Sequence, residues 1–179
     1  MSLNVLLADD DPTMRVLLSH VITQAGHAVT AMVADGEAAW EAWESSRAPL
    51  LILDWEMPRL DGLALCRRIR AAEQGNGPFV LIVTARDATE DLTAVLDAGA
   101  DDYMSKPVTP DNLRARLRIA ERRIEVSAAR RAAEEELRKA RYLAGIGETS
   151  LALQHEINNP LAALLSHAAL IEHDMLDPR

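Results

Sequence analysis

Short apolar runs alternate with longer segments of helical spacing along the first 108 residues. The runs are Val5–Ala8, Ala28–Val33, Leu50–Leu53, Phe79–Val83 and a weaker Asp102–Met104. Between them, Thr13–Ala25, Gly36–Ser45, Gly62–Ala72 and Ala88–Ala98 place apolar residues at helical steps. Continuous apolar runs indicate strands buried on both faces. Strands alternating with helices of about 10–15 residues give right-handed βαβ units and a parallel sheet. Gly26, the run Gly75-Asn76-Gly77-Pro78 and Gly99 sit where the helices should end. The pattern predicts a doubly wound α/β domain with five strands.

The character changes at Pro110. No strand-like run follows, and residues 111–154 are rich in Ala, Arg, Glu and Leu. Leu113, Leu117, Ala120 and Ile124 recur at three- and four-residue steps. After an irregular stretch near Arg130, Ala133, Leu137, Ala140 and Ala144 do the same. A narrow apolar seam on a long helix predicts a coiled coil with a second copy of the chain. The expected organisation is a domain over 1–122, a helical linker over 111–146 continuous with its last helix, and a further helical segment over 147–179.

Composition narrows the function. The chain has 179 residues, 49% hydrophobic but only 3% aromatic, so the core must be aliphatic. A formal net charge of −9 argues against nucleic acid as the partner. Arg114, Arg116, Arg118, Arg122 and Arg123 are interleaved with acids and apolar residues rather than forming a basic recognition face. Cys66 is the one cysteine, so no internal disulfide can form. No run of about 18 apolar residues and no leader peptide is apparent, so the chain is expected to be soluble and cytoplasmic, with no membrane partner.

Ligand sites in doubly wound sheets lie beyond the carboxyl ends of the strands. After the first run come Asp9, Asp10 and Asp11; after the third comes Asp54, in LLILDWEMP; after the fourth Thr84, in VLIVTA; after the fifth Lys106, in YMSKP. Carboxylates converging in one crevice repel one another unless a cation joins them or their pKa values rise. An all-oxygen site of this kind suits Mg²⁺ or Mn²⁺. A lysine and a hydroxyl beside it supply donors for an oxyanion, and the whole set describes phosphoryl transfer to an aspartate. No G-x-x-x-x-G-K-[ST] loop is present, so the domain is not itself a nucleotide site.

This ordered set resembles the response-regulator receiver domain of bacterial two-component signalling: Asp9-Asp10, Asp54 followed by Met57-Pro58 and Asp61-Gly62, Thr84-Ala85, and Lys106-Pro107. The resemblance covers residues 3 to about 122. It implies a flavodoxin-like sheet of order 2-1-3-4-5, with Asp54 as phosphoacceptor. It also implies that Asp9 and Asp10 hold Mg²⁺ together with Asp54 and the Trp55 carbonyl. Lys106 and Thr84 would contact the phosphoryl oxygens, and Tyr103 would be the switch aromatic that follows Thr84. Asp11 would be a neighbouring loop residue only. The phosphodonor would be a histidine phosphoprotein.

The segment from Gly147 to Leu165 holds His155-Glu156-Ile157-Asn158-Asn159-Pro160. It resembles the phosphoacceptor box of histidine kinases. The resemblance implies that His155 is phosphorylated, that Glu156 acts as its general base, and that Asn159, four residues on and on the same helix face, orients water for dephosphorylation. Pro160 would bend the helix. Apart from the resemblance, HEINN lacks the second histidine of the zinc motif HExxH. A second antiparallel helix and an ATP-binding domain would be needed to phosphorylate His155. The chain is therefore expected to be a piece of a longer hybrid kinase, with the missing kinase domain as a partner.

Three functions follow as expectations. The leading one is a receiver that signals through dimeric linker helices to the His155 segment. In the second, Asp54 and His155 exchange a phosphoryl group; a helix of roughly 45 residues between them, about 65 Å long at 1.5 Å per residue, makes that awkward within one chain. The third is an inert receiver on a coiled-coil dimerisation protein.

Overall fold

The computed structural model describes residues 2–73, 77–85 and 88–142. The elements are β1 (Asn4–Ala8), α1 (Pro12–Gln24), β2 (Ala28–Val33), α2 (Gly36–Ser46), β3 (Leu50–Asp54), α3 (Gly62–Ala72), β4 (Phe79–Thr84), α4 (Ala88–Asp97) and β5 (Asp102–Ser105). Residues 110–142 are helical and are called α5. The five strands are parallel, in the order β2-β1-β3-β4-β5. This is the doubly wound, flavodoxin-like architecture that the sequence predicts.

The period of two along each strand divides the core into two layers. Val5, Leu7, Leu50, Ile52, Leu81 and Val83 face a cluster with Leu18 and Ile22 of α1 and Leu113, Leu117 and Ala120 of α5. Leu6, Ala8, Leu51, Leu53, Val80 and Ile82 face the other way, onto Trp43 of α2, Leu65 and Ile69 of α3 and Val95 of α4. β3 is central and wholly buried, whereas β2 is an edge strand with alternating exposure.

Three loop aspartates act as helix caps. Thr13 N donates to Asp11 Oδ1 (2.8 Å), Ala38 N to Asp35 Oδ1 (2.9 Å) and Ala64 N to Asp61 Oδ1 (2.7 Å). Each satisfies an amide that the first helical turn leaves without an intrahelical partner. Gly26 and Gly99 follow α1 and α4 with φ of 91° and 80°, the left-handed geometry that the chain-breaking glycines predict. α3 ends at Ala72, ahead of the run that starts at Gly75, and residues 74–76 lie outside the described residues.

One expectation is corrected here. Leu113, Leu117 and Ala120 are buried in the sheet's core, and Ile124 packs against it. They do not form a seam for a second chain. A helix docked on a sheet and a helix paired with another helix show the same spacing, so periodicity alone did not separate them. Asp102 of β5 fastens α5 further, accepting both oxygens' bonds from Arg116 Nη1 at 2.8 and 2.9 Å.

Contacts divide the chain into two compact units, residues 1–128 and 129–179. The described part of the second, residues 129–142, is largely exposed helix. It carries the local pairs Arg130–Glu134, Arg138–Glu135 and Lys139–Glu136. Such pairs support a solvated helix by a few tenths of a kcal/mol each. Among the described residues no helix is long and apolar enough to cross a membrane.

Candidate functional site

The sheet register gathers one end of four strands. Ala8 of β1 pairs with Leu53 of β3, Asp54 with Val83 of β4, and Thr84 with Ser105 of β5. Asp9, Asp54, Thr84 and Lys106 therefore emerge at the same carboxyl edge. Asp54 and Thr84 are the last residues of their strands rather than the first beyond them. Both are buried, as is Asp9.

One carboxylate oxygen from each of Asp9, Asp10 and Asp54 lies within 4.8 Å of the others. Lys106 Nζ donates to Asp54 Oδ2 at 2.8 Å and stands 3.1 Å from Asp9 Oδ2. That second contact is an ion pair without hydrogen-bond geometry, so Asp9 Oδ2 is fully buried with no hydrogen bond. Asp9 Oδ1 accepts from Asp11 N at 2.9 Å. Burial holds the Asp54 carboxyl above its ordinary value of 3.8; the Lys106 bond opposes this, and the Asp9 charge adds to it. For Lys106, burial disfavours the cation, but its hydrogen bond to Asp54 and the charges of Asp54 and Asp9 outweigh that and its pKa is raised. Three carboxylates against one ammonium leave two negative charges in the cluster. The Asp9 oxygen that lacks a hydrogen bond and the all-oxygen donor set fit a hard divalent cation.

An open cleft of about 440 Å³ adjoins the cluster, lined by Asp10, Trp55, Glu56, Met57, Pro58 and Asp61. Its floor is set by the backbone. Trp55 N donates to Val83 O and Gly62 N to Trp55 O, each at 2.8 Å. A Cβ on Gly62 would fall 2.2 Å from the Asp54 carbonyl oxygen, so only glycine lets α3 start this close to the site. The Trp55 carbonyl is thus already an acceptor for Gly62. The Lys106–Pro107 peptide is cis, and Lys106 N donates to Thr84 O at 2.6 Å. Tyr103 is half-buried against the α2–α3–α4 layer of the core.

A family model described as the response regulator receiver domain matches residues 5–118. The chain belongs to the response regulator receiver domain family. It is thus a receiver of two-component signalling. The receiver is 42% identical over 123 residues to the response regulator MprA of Mycobacterium ulcerans, covering 69% of this chain and 52% of that protein. It is 35% identical over 169 residues to the transcriptional regulatory protein TcrA of Mycobacterium tuberculosis, covering 93% of this chain and 66% of that protein. The chain therefore spans about half the length of MprA. Among solved structures it is similar to the receiver domain of the sensor histidine kinase PA1611 from Pseudomonas aeruginosa, whose active-site cleft coordinates a magnesium ion. That match has 32% identity and a TM-score of 0.60, covering 70% of this chain and 99% of that one.

The receiver brings together Asp9, Asp10, Asp54 and Lys106, with Thr84 and Trp55 at the neighbouring strand end and loop. Asp11 is the α1 cap, as a loop residue outside the cluster. The second candidate set, His155, Glu156 and Asn159, lies outside the described residues. MprA is a response regulator and TcrA a transcriptional regulatory protein, and the kinase box rests on its sequence run alone. The sequence reading missed Arg15, whose Nη1 donates to the carbonyls of Asp9 (2.6 Å) and Asp10 (3.1 Å). An arginine five and six residues after the paired aspartates was the available signal, but it has no periodic signature.

Proposed function

We propose that Asp54 accepts a phosphoryl group from a histidine phosphodonor protein, with Asp9, Asp10 and Asp54 holding Mg²⁺ (or Mn²⁺). The observation that carries this reading is the closure of three carboxylates to within 4.8 Å beside an ammonium 2.8 Å from Asp54. A carboxylate oxygen of Asp54 forms the new O–P bond as the donor's N–P bond breaks and the imidazole leaves. Lys106 would turn from Asp54 to the transferred phosphoryl oxygens, and Thr84 would offer its hydroxyl to them. A bound Mg²⁺ would supply charge neutralisation at those oxygens. The acyl phosphate carries nearly two negative charges where the Asp54 carboxylate carried one, in a site whose three carboxylates face a single ammonium. Thr84 and Tyr103 would then carry the change to the α4–β5–α5 surface.

For output, the reading is a hybrid kinase. Asp54 phosphorylation would govern the 147–179 segment, with His155 as phosphoacceptor, Glu156 as base and Asn159 as water-orienting residue, in a pair of chains joined through the C-terminal helices. What supports it is the run His155–Pro160 and the likeness to a receiver from a sensor histidine kinase. The match to TcrA over 93% of this chain favours a second reading of the output, as transcriptional control. Phosphotransfer to His155 from an added kinase ATP-binding domain supports the first; its absence together with specific duplex-DNA binding supports the second. The receiver function is tested by intact mass after incubation with Mg²⁺ and acetyl phosphate. The wild type should gain one phosphoryl group and Asp54→Asn none; equal masses would reject it.

A further inference from the structure

Asp9 and Asp10 supply two of the three clustered carboxylates, yet they sit on a loop between β1 and α1. Side-chain bonds fix this loop only in part. Asp9 Oδ1 accepts from Asp11 N, and Asp11 in turn caps α1 through Thr13 N. Arg15 adds a connection of a different kind. Its Nη1 donates to both main-chain oxygens, Asp9 at 2.6 Å and Asp10 at 3.1 Å. Its own amide is tied to Asp11 O at 3.0 Å within α1, whose Leu18, Val21 and Ile22 are buried in the core. One guanidinium therefore fastens two consecutive loop peptides to a helix that the core holds rigid.

The choice of acceptor matters. Lys106 engages carboxylate oxygens of Asp54 and Asp9, the same class of oxygen a cation would take. Arg15 engages carbonyls and leaves every carboxylate lone pair available. Without a cation the three carboxylates push one another apart. A charge-assisted tie on the backbone resists that spreading at no cost in donor atoms. The opposing effect is electrostatic, since a second positive charge nearby disfavours a divalent ion.

We infer that Arg15 is a positioning residue for the divalent-cation site, and that holding the Asp9–Asp10 backbone outweighs its charge repulsion. This rests on the reading of Asp9, Asp10 and Asp54 as the Mg²⁺ site. Partners that hold ligand residues typically change metal affinity by 10–100-fold when removed. The expected effect is at the lower end, on the order of tenfold, because Asp54 is held independently by β3.

The test titrates Mg²⁺ into the full chain after EDTA treatment, following the change in tryptophan emission, for which Trp55, lining the cleft beside Asp10, is the reporter and the distant Trp40 and Trp43 a constant background. Wild type, Arg15→Ala, Arg15→Met and Arg15→Lys are compared, with Asp10→Asn as the control for specific binding. Ala and Met should weaken Mg²⁺ by roughly tenfold. The Met variant keeps the aliphatic stem and answers the question should Ala unfold. Lys has a single ammonium without the planar fork and should recover only part of the affinity. At saturating Mg²⁺ all three should reach the wild-type rate of phosphorylation by acetyl phosphate, so the change lies in Mg²⁺ dependence and not in maximal rate. Unchanged or tighter Mg²⁺ binding in the Ala and Met variants would overturn the inference. A maximal rate that stays low at saturating Mg²⁺ would also overturn it, placing Arg15 on the reacting group instead. If the wild type itself binds no Mg²⁺, the underlying site reading fails and takes the inference with it.

Discussion

Replacing Lys106 by methionine removes the ammonium that stands 2.8 Å from Asp54 Oδ2 and 3.1 Å from Asp9 Oδ2. Methionine keeps a long unbranched stem, so the loss is mainly one of charge. Deleting one partner of a buried ion pair costs about 3–5 kcal/mol, because the remaining charge is left unpaired in a poor solvent. The carboxylate side chains are 0% and 5% exposed, but that of Lys106 is 19% exposed. Water therefore screens part of the pair, and the expected loss is about 2–4 kcal/mol in metal-free protein near neutral pH. For a domain of this size that lowers the thermal midpoint by roughly 8–16 °C. The pH dependence has a definite sign. Burial already holds the Asp54 carboxyl above 3.8, and losing Lys106 raises it further. A raised carboxyl destabilises the fold above its folded pKa, and this penalty fades as the pH falls through that value. The deficit of Lys106→Met should thus shrink on acidification, and also on adding Mg²⁺. Thermal unfolding by circular dichroism, in EDTA and in Mg²⁺ across a pH series, measures all three effects. A deficit below about 1 kcal/mol in EDTA at neutral pH, or one indifferent to both pH and Mg²⁺, would refute the reasoning that this cluster is short of cations.

Three further outcomes follow from the packing. Leu117→Ala should cost about 2–5 kcal/mol, since Leu117 is 1% exposed in the sheet's core, and should leave the association state unchanged by light scattering; a change of association without a stability loss would return Leu117 to a dimer seam. Gly62→Ala places a Cβ against the Asp54 backbone and should lower stability by about 1–3 kcal/mol. It should also slow phosphorylation by acetyl phosphate by roughly tenfold or more, because the nucleophile moves with the strand end. Arg70→Ala removes donors to Pro78 O, Gly99 O and Asp101 Oδ2 that join α3 to the starts of β4 and β5. In urea unfolding it should cost about 2 kcal/mol, with the site at the opposite end of the sheet still accepting phosphoryl.

The strands were legible because burial on both faces leaves uninterrupted runs such as Leu50–Leu53, and the sheet's ends then located Asp9, Asp54, Thr84 and Lys106 without a structure. The strand limits differed by single residues where a polar site residue closes the run, as at Asp54 and Thr84. Which loop aspartates were caps was not legible: Asp11, Asp35 and Asp61 have the same residue type as Asp9 and Asp10, and only the amides around them tell caps from cluster. The face of α5 was misassigned because docking on a sheet and pairing with a helix impose one period. Arg15 and Arg70 act through carbonyls of other segments. Main-chain acceptors have no sequence identity, so no motif marks such bonds.

The most direct test of the central claim is the location of the phosphoryl group. Wild-type protein is phosphorylated with acetyl phosphate and Mg²⁺, and its peptides are sequenced by tandem mass spectrometry. A single modified peptide is expected, with the group on Asp54, absent when EDTA replaces Mg²⁺. A phosphoryl group on any other residue, or one acquired equally well in EDTA, would contradict it.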